Sequence, residues 1–128
     1  MNKAIHDMIE KAMATLTEAE KKEKKLADVY KGYLSSLGAS MRMSGLIPTM
    51  AFFSSKENSA KGDRWKVLDW IASVLKESKQ GYADLSSGRS LFERSLKANE
   101  HASTLEKDIL DASVALKLSI RTFDLAKK

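Results

Sequence analysis

Hydrophobic positions between residues 4 and 37 follow one another in alternating steps of four and three. The positions on this spacing are Ile5, Ile9, Ala12, Leu16, Ala19, Glu23, Leu26, Tyr30, Tyr33 and Leu37. Such spacing keeps side chains on one face of a helix. The stripe is interrupted by the charged run 21–25, and Thr17 with Glu20 has the spacing of a capping box. The pattern predicts either one long helix with a polar centre or, as we favour, two helices over 4–16 and 18–36.

A strongly apolar segment follows Gly38, which is a candidate for the residue that ends the preceding helix. Its apolar residues are Met41, Met43, Leu46, Ile47, Met50, Ala51, Phe52 and Phe53. Ser44 or Gly45 can cap a helix in which Pro48 lies in the first turn, where a missing N–H costs little. Residues 54–63 are polar and predict a loop.

The second half of the chain predicts three further helices. Asp63 is a candidate N-cap for a helix that ends near Ser78, with Trp65 and Trp70 at opposite edges of a wide apolar arc. An arc this wide indicates a helix that is buried or shared with a partner. After an irregular segment at 79–89, two further capping boxes predict the remaining helices. They are Ser90 with Glu93, for a helix to about Ala98, and Ser103 with Glu106, for a helix to about Lys127.

The last predicted helix carries two apolar stripes, which suits packing on neighbouring molecules as well as on the core. One stripe contains Leu105, Ile109, Ala112, Leu116 and Phe123, and the other contains Leu110, Val114, Leu118 and Leu125. We therefore expect an all-α fold, a single compact bundle of five to six helices forming one domain over residues 1–128. Trp65, Trp70, Leu110 and Leu118 are the candidate protein-interface residues.

Composition agrees with this fold class and excludes several kinds of site. The chain is 43% hydrophobic and 30% charged, with one proline, six glycines and no cysteine. Few prolines and glycines disfavour an all-β fold, and the lack of cysteine excludes disulfides, thiol nucleophiles and cysteine-bound metals. No segment is apolar enough to cross a membrane or to act as a signal peptide, so we expect a cytoplasmic protein.

The basic residues are the main candidates for binding. The formal net charge is +5, and no acidic residue occurs between Asp28 and Glu57. If the basic clusters converge in the fold, they form a surface suited to phosphate contacts. The candidate residues for contacts with a phosphate backbone are Arg42, Lys56, Lys61, Arg64, Lys66, Lys22 and Lys25. The alternative for each is an ordinary solvated position.

Nothing in the sequence indicates catalysis. His6 and Glu10 are four residues apart and could contact one metal ion, but a catalytic metal site needs about three protein ligands. Phosphate-binding glycine loops, nucleophile elbows and metalloprotease motifs are absent. We expect no enzyme activity, no metal and no cofactor.

Residues 36–56 resemble the signature of the small, all-helical subunit of Cmr-type (type III-B) CRISPR effector complexes. The residues that carry the resemblance are Arg42, Gly45, Leu46, Ala51, Phe52 and Lys56, preceded by a helix end with Tyr30, Tyr33 and Leu34. The amphipathic helix within 57–78 and the pair Arg121 and Phe123 are similar too. The chain departs from the family at Ser119, Ile120 and Asp124.

The resemblance implies a non-catalytic subunit whose copies stack into a short filament beside the guide RNA and its paired target RNA. Its implied partners are the other Cmr subunits, the two RNAs and further copies of itself. Arg42 is the first candidate for a phosphate contact, and the alternative is that its guanidinium ties a turn at 38–45 to helix-end carbonyls. The alternative for the whole chain is a helical adaptor without nucleic acid, which contacts another protein through Trp65 and Trp70.

Overall fold

Six α-helices make up the fold in the computed structural model, which describes residues 3–56 and 62–127. They are α1 (Lys3–Glu23), α2 (Val29–Ser44), α3 (Leu46–Phe53), α4 (Arg64–Ser78), α5 (Gly88–Leu96) and α6 (Ala102–Ile120), with one 3₁₀ turn at Asn99–His101. No strand occurs in the described ranges. The all-α class and the number of helices are confirmed.

The first two helices are divided at residues 24–28, later in the chain than predicted. Lys24 has a φ of 67°, the left-handed conformation that commonly ends a helix. Thr17 lies inside α1, and its hydroxyl donates a hydrogen bond to the Met13 carbonyl at 2.8 Å. The predicted capping box at Thr17 is therefore wrong, because this hydroxyl bonds back within its own helix instead of capping a new one.

The junction between α2 and α3 lies at Gly45. Gly38 is a buried residue inside α2, so the prediction that it ends a helix is wrong. Gly45 instead adopts a φ of 89°, which is strained for a residue with a side chain, and its N–H donates to the Met41 carbonyl at 3.0 Å. Pro48 lies in the first turn of α3, as predicted.

Helix α4 begins after Asp63 and ends at Ser78, as predicted. The other two capping boxes are wrong. Ser87 caps α5, because its hydroxyl accepts the Ser90 N–H and the Ser90 hydroxyl accepts the Ser87 N–H. Ser103 lies within the first turn of α6, which starts at Ala102.

The C-terminal segment turns back on the α1–α2 connection, so α6 ends at Ile120 and not near Lys127. Ala126 forms a parallel β-bridge with Ala27. Its N–H donates to the Leu26 carbonyl at 2.8 Å, and its carbonyl accepts the Asp28 N–H at 2.7 Å. Phe123 consequently lies outside α6, contrary to its predicted place on a helical stripe.

The buried side chains form one cluster with members from every α-helix. Helix α1 packs on α4 and α6, α2 packs on α6 and α3, and α3 packs on α5. Tyr30 and Phe53 are among the largest fully buried side chains. This packing brings α2, α3 and the start of α4 together. Arg42 lies on α2, Arg64 and Lys66 lie at the start of α4, and Lys56 follows α3.

Helix α5 lies very close to α4 at its first residue. The Gly88 N–H donates to Asp69 Oδ1 at 2.6 Å. A Cβ on Gly88 would lie 2.6 Å from the Leu68 Cβ and 3.1 Å from the Asp69 backbone nitrogen. Only glycine permits this approach without displacement, because carbon atoms in contact prefer about 3.5–4.0 Å.

Candidate nucleic-acid interface

Arg42 lies exposed on the last turn of α2. Its two terminal guanidinium nitrogens come within 3.8 and 3.9 Å of the position that a Cβ on Gly38 would occupy, so the side chain lies along its own helix. Residues 38–44 are helical, and the alternative role of tying a turn at 38–45 does not apply.

Arg64, the first residue of α4, lies between two aromatic rings. Its guanidinium carbon is 5.1 Å from the centre of the Tyr33 ring and 4.9 Å from that of Phe52. Tyr33 is buried, and its hydroxyl donates to the Gly62 carbonyl at 3.2 Å. Both distances fall within the range of cation–π attraction, so the two rings hold the guanidinium in place without neutralising its charge.

Lys56 follows α3 in the chain, and its ammonium is 3.8 Å from the centre of the Trp65 ring. The Lys66 ammonium is 5.8 Å from the same ring. Trp65 is half-buried and Lys56 is exposed. In the described part of the chain, no carboxylate lies within 4.0 Å of the side-chain nitrogens of Arg42, Lys56 or Arg64.

The positive charge of Lys66 is compensated by acidic neighbours. Its ammonium is 3.3 Å from Glu23 and 3.9 Å from Asp63. Burial by itself lowers the pKa of Lys66, but the electrostatic effects of Tyr30, Glu23 and Asp63 outweigh it and raise the pKa above its usual value. Lys66 therefore stays charged, yet its charge is compensated within the protein.

Lys25 is also paired, with Asp124 at 3.1 Å. The two residues meet because the C-terminal segment folds back onto the α1–α2 connection. Lys22 is exposed and lies in a groove between α1 and α4 that also contains Glu18, Glu23 and Glu77. The α1–α4 groove is therefore of mixed charge. Lys61 lies outside the described residues.

The comparison with protein families gives a match that covers most of the chain. The family described as CRISPR-associated protein (Cas_Cmr5) matches residues 5–117. The chain belongs to the Cmr5 family. It is thus a Cmr5-type small subunit of a type III-B CRISPR complex, as the resemblance of residues 36–56 indicated. No curated protein and no solved structure gives a significant match.

The Cmr5 match covers Arg42, Lys56 and Arg64 and ends before the C-terminal segment. Asp124, one of the positions where the chain departs from the family pattern, lies beyond the match. In the structure its carboxylate contacts Lys25, which gives this departure a local structural role.

The predicted protein-interface residues differ in exposure. Trp70 has only 7% of its surface exposed, and its ring packs edge-on against Tyr30 at 4.9 Å between centres. Trp70 is therefore a core residue, because the wide apolar arc of α4 faces its neighbouring helices. Trp65, Leu110 and Leu118 are half-buried.

The largest exposed apolar side chains were not identified from the sequence. Met43, Ile47, Phe52 and Leu96 are 87%, 46%, 56% and 51% exposed. The outward face of α3 consists of Ile47, Pro48, Ala51 and Phe52, all of them apolar. The sequence signal was present, since seven of the eight residues of α3 are apolar and such a helix cannot bury all of them in the core.

Two other groups have no place in this surface. His6 and Glu10 are exposed on α1, and no cluster of three potential metal ligands exists within residues 3–56 and 62–127. The Asp108 carboxylate is buried between α4 and α6, where it accepts hydrogen bonds from Lys79 at 2.8 Å and from the Tyr82 hydroxyl.

No helix in the described ranges is both long and apolar enough to cross a membrane.

Proposed function

We propose that this Cmr5-family chain is a non-catalytic subunit that holds the backbone of the guide RNA or target RNA through Arg42, Lys56 and Arg64. The observation that carries the proposal is that some of the candidate basic residues have acidic partners and others do not. These three have no acidic partner among the described residues, whereas Lys25 and Lys66 are ion-paired. An unpaired cation can replace the counterions of a phosphate, while a paired one must first lose its acid.

The local charge favours this surface over the α1–α4 groove. No acidic residue occurs from Val29 to Lys56, so α2 and α3 contribute no carboxylate that would repel a phosphate. Contacts of this kind position an RNA without reading its sequence. Lys22 and Lys61 remain predictions. Lys22 lies in a groove that is also lined by acidic side chains, and Lys61 lies outside the described residues.

The complex that this subunit joins also requires protein contacts. Family membership supports association with other Cmr subunits. The exposed Met43, Ile47 and Leu96 support stacking against a further copy of the chain, because exposed apolar clusters of this kind commonly mark protein–protein contacts. Trp65, Leu110 and Leu118 remain predicted interface residues, and a cytoplasmic location remains a prediction.

The test is the salt dependence of target-RNA binding by the assembled complex. The triple variant Arg42→Gln, Lys56→Gln and Arg64→Gln removes three charges but keeps most of each side-chain stem. Each phosphate contact contributes about 0.7 to the slope of log affinity against log salt for a single strand. We therefore expect the slope to become shallower by about two units when all three contacts are lost.

A matched control removes three paired lysines by changing Lys21, Lys25 and Lys31 to glutamine. These lysines contact Glu18, Asp124 and Asp28, respectively, and their loss changes the net charge by the same amount. We expect the control to leave the slope nearly unchanged. Equal slopes for wild type and the first triple variant, in complexes that assemble normally, would refute the backbone-holding role and favour an adaptor without nucleic acid.

A further inference from the structure

Phe52 is an exposed aromatic ring at the end of α3. More than half of its surface, 56%, is accessible. Its ring contacts are the edge of Phe53, with centres 5.6 Å apart at 80°, and the guanidinium of Arg64 at 4.9 Å. The core side of α3 is already filled by Leu46, Met50 and Phe53, so the fold does not require an aromatic residue at position 52.

Arg64, which contacts this ring, and Lys56, which follows it in the chain, have no acidic partner within residues 3–56 and 62–127. Arg64 is held between Phe52 and Tyr33, and Lys56 follows Phe52 by four residues. Lys56 is itself held over the Trp65 ring at 3.8 Å. A single exposed apolar residue is ordinary, but an exposed ring in contact with a positioned cation is a combination that binds single-stranded nucleic acid.

We propose that Phe52 is a stacking platform for one unpaired RNA base, with the flanking phosphates near Arg64 and Lys56. The inference rests on the proposed RNA contact and deepens it, because it adds a base contact to a surface otherwise expected to hold only the backbone. Every base has a π-face, so the contact is insensitive to sequence. It distinguishes instead between paired and unpaired RNA, since a base within a duplex is already stacked on its neighbours.

The experiment compares the full-length chain with the variant Phe52→Leu, which keeps an apolar side chain but removes the ring. The probes are a short single-stranded RNA, the same RNA in a duplex, and a single-stranded RNA in which abasic sites replace the bases. Base–aromatic stacking contributes about 1–3 kcal/mol, so we expect the leucine variant to bind single-stranded RNA about 5- to 150-fold more weakly. Binding to the duplex and to the abasic RNA should not change.

Two controls separate stacking from loss of apolar surface or of folding. Phe52→Tyr keeps the ring and should retain wild-type affinity, whereas Phe92→Leu removes a ring that lies near an arginine elsewhere, on α5, and should not change RNA affinity. The slope against salt should be the same for wild type and Phe52→Leu, because no charge is removed. A 2-aminopurine base in the RNA should be quenched by wild type and by Phe52→Tyr, and less by Phe52→Leu.

Several results would overturn the platform. They are unchanged affinity of Phe52→Leu for single-stranded RNA, equal weakening for duplex and single strand, and no binding of single-stranded RNA by the wild-type chain. Loss of co-assembling proteins with RNA binding intact would show that Phe52 contacts protein instead. The proposed function is judged separately by the salt slope of the assembled complex, so stacking can fail while the backbone contacts stand.

Discussion

The close approach of α5 to α4 at Gly88 makes a sharp test of the packing. A methyl group at this position would lie 2.6 Å from the Leu68 Cβ, about 1 Å inside the preferred carbon–carbon separation. The nearest atoms are a Cβ and a backbone nitrogen, which cannot rotate away as the end of a long side chain can. Helix α5 would have to move, and overpacking of this kind costs about 1–3 kcal/mol.

The same substitution at Gly32 is a matched control of opposite sign. Gly32 lies within α2 and is exposed, and a Cβ there would meet nothing within 4 Å. Replacing an exposed glycine inside a helix by alanine stabilises by about 0.5–1 kcal/mol. We therefore expect Gly88→Ala to lower the free energy of unfolding and Gly32→Ala to raise it.

Urea unfolding followed by circular dichroism measures both changes. With an ordinary dependence on denaturant, the two variants should differ in midpoint by about 1–2 M urea, with wild type between them. A midpoint of Gly88→Ala at or above that of wild type would refute the reasoning, because it would mean that α5 is not held against α4 as closely as the structure shows. A decrease for both variants would instead implicate alanine itself and not the contact.

Two further predictions concern the Tyr82 hydroxyl and its neighbours. Tyr82→Phe removes one hydrogen bond to the buried Asp108 carboxylate and leaves the hydrogen bond from Lys79 in place. We expect the free energy of unfolding, measured in urea, to fall by about 1.5–3 kcal/mol. An unchanged value would refute a contribution from this bond. Burial and the hydrogen bond to Asp108 raise the pKa of Tyr82, and burial raises that of Tyr30, so the folded chain keeps protons that the unfolded chain releases above about pH 10. The contribution of these two tyrosines to the free energy of unfolding should therefore be fully present below about pH 10 and decrease as the pH rises beyond it. A urea midpoint at about pH 11 that is no lower than the midpoint at about pH 9 would contradict the raised pKa values.

Local signals in the sequence predicted the starts of α3 and α4. Pro48 lies in the first turn of α3 and Asp63 directly precedes α4, as predicted, although the Asp63 side chain makes no capping hydrogen bond. Thr17 shows the limit of such signals, because its hydroxyl bonds back within α1 instead of capping a new helix. Ser103 lies inside α6 and not at its N-cap position. The end of α6 depends on Ala126 meeting the α1–α2 connection, which no local pattern reveals.

The sequence predicted which basic residues are candidates for the site, but not which of them are ion-paired in the fold. The acid-free stretch around Arg42 is visible in the sequence, and so is the family signature. The pairing of Lys25 with Asp124 and of Lys66 with Glu23 depends on contacts between distant segments, as does the position of Arg64 between two rings. Charge in the sequence therefore identifies candidates, and the fold decides which of them stay uncompensated.

The bridge between Ala27 and Ala126 has a consequence for the order of folding. It closes a loop of about 100 residues, and the entropy of closing such a loop in an unfolded chain is about 4 kcal/mol or more. Its two backbone hydrogen bonds return only about 1 kcal/mol each, so they cannot form the loop by themselves. The bridge must therefore close late, after α1 and α6 have packed, and amide exchange at Asp28 and Ala126 should report local opening earlier than exchange in the helices.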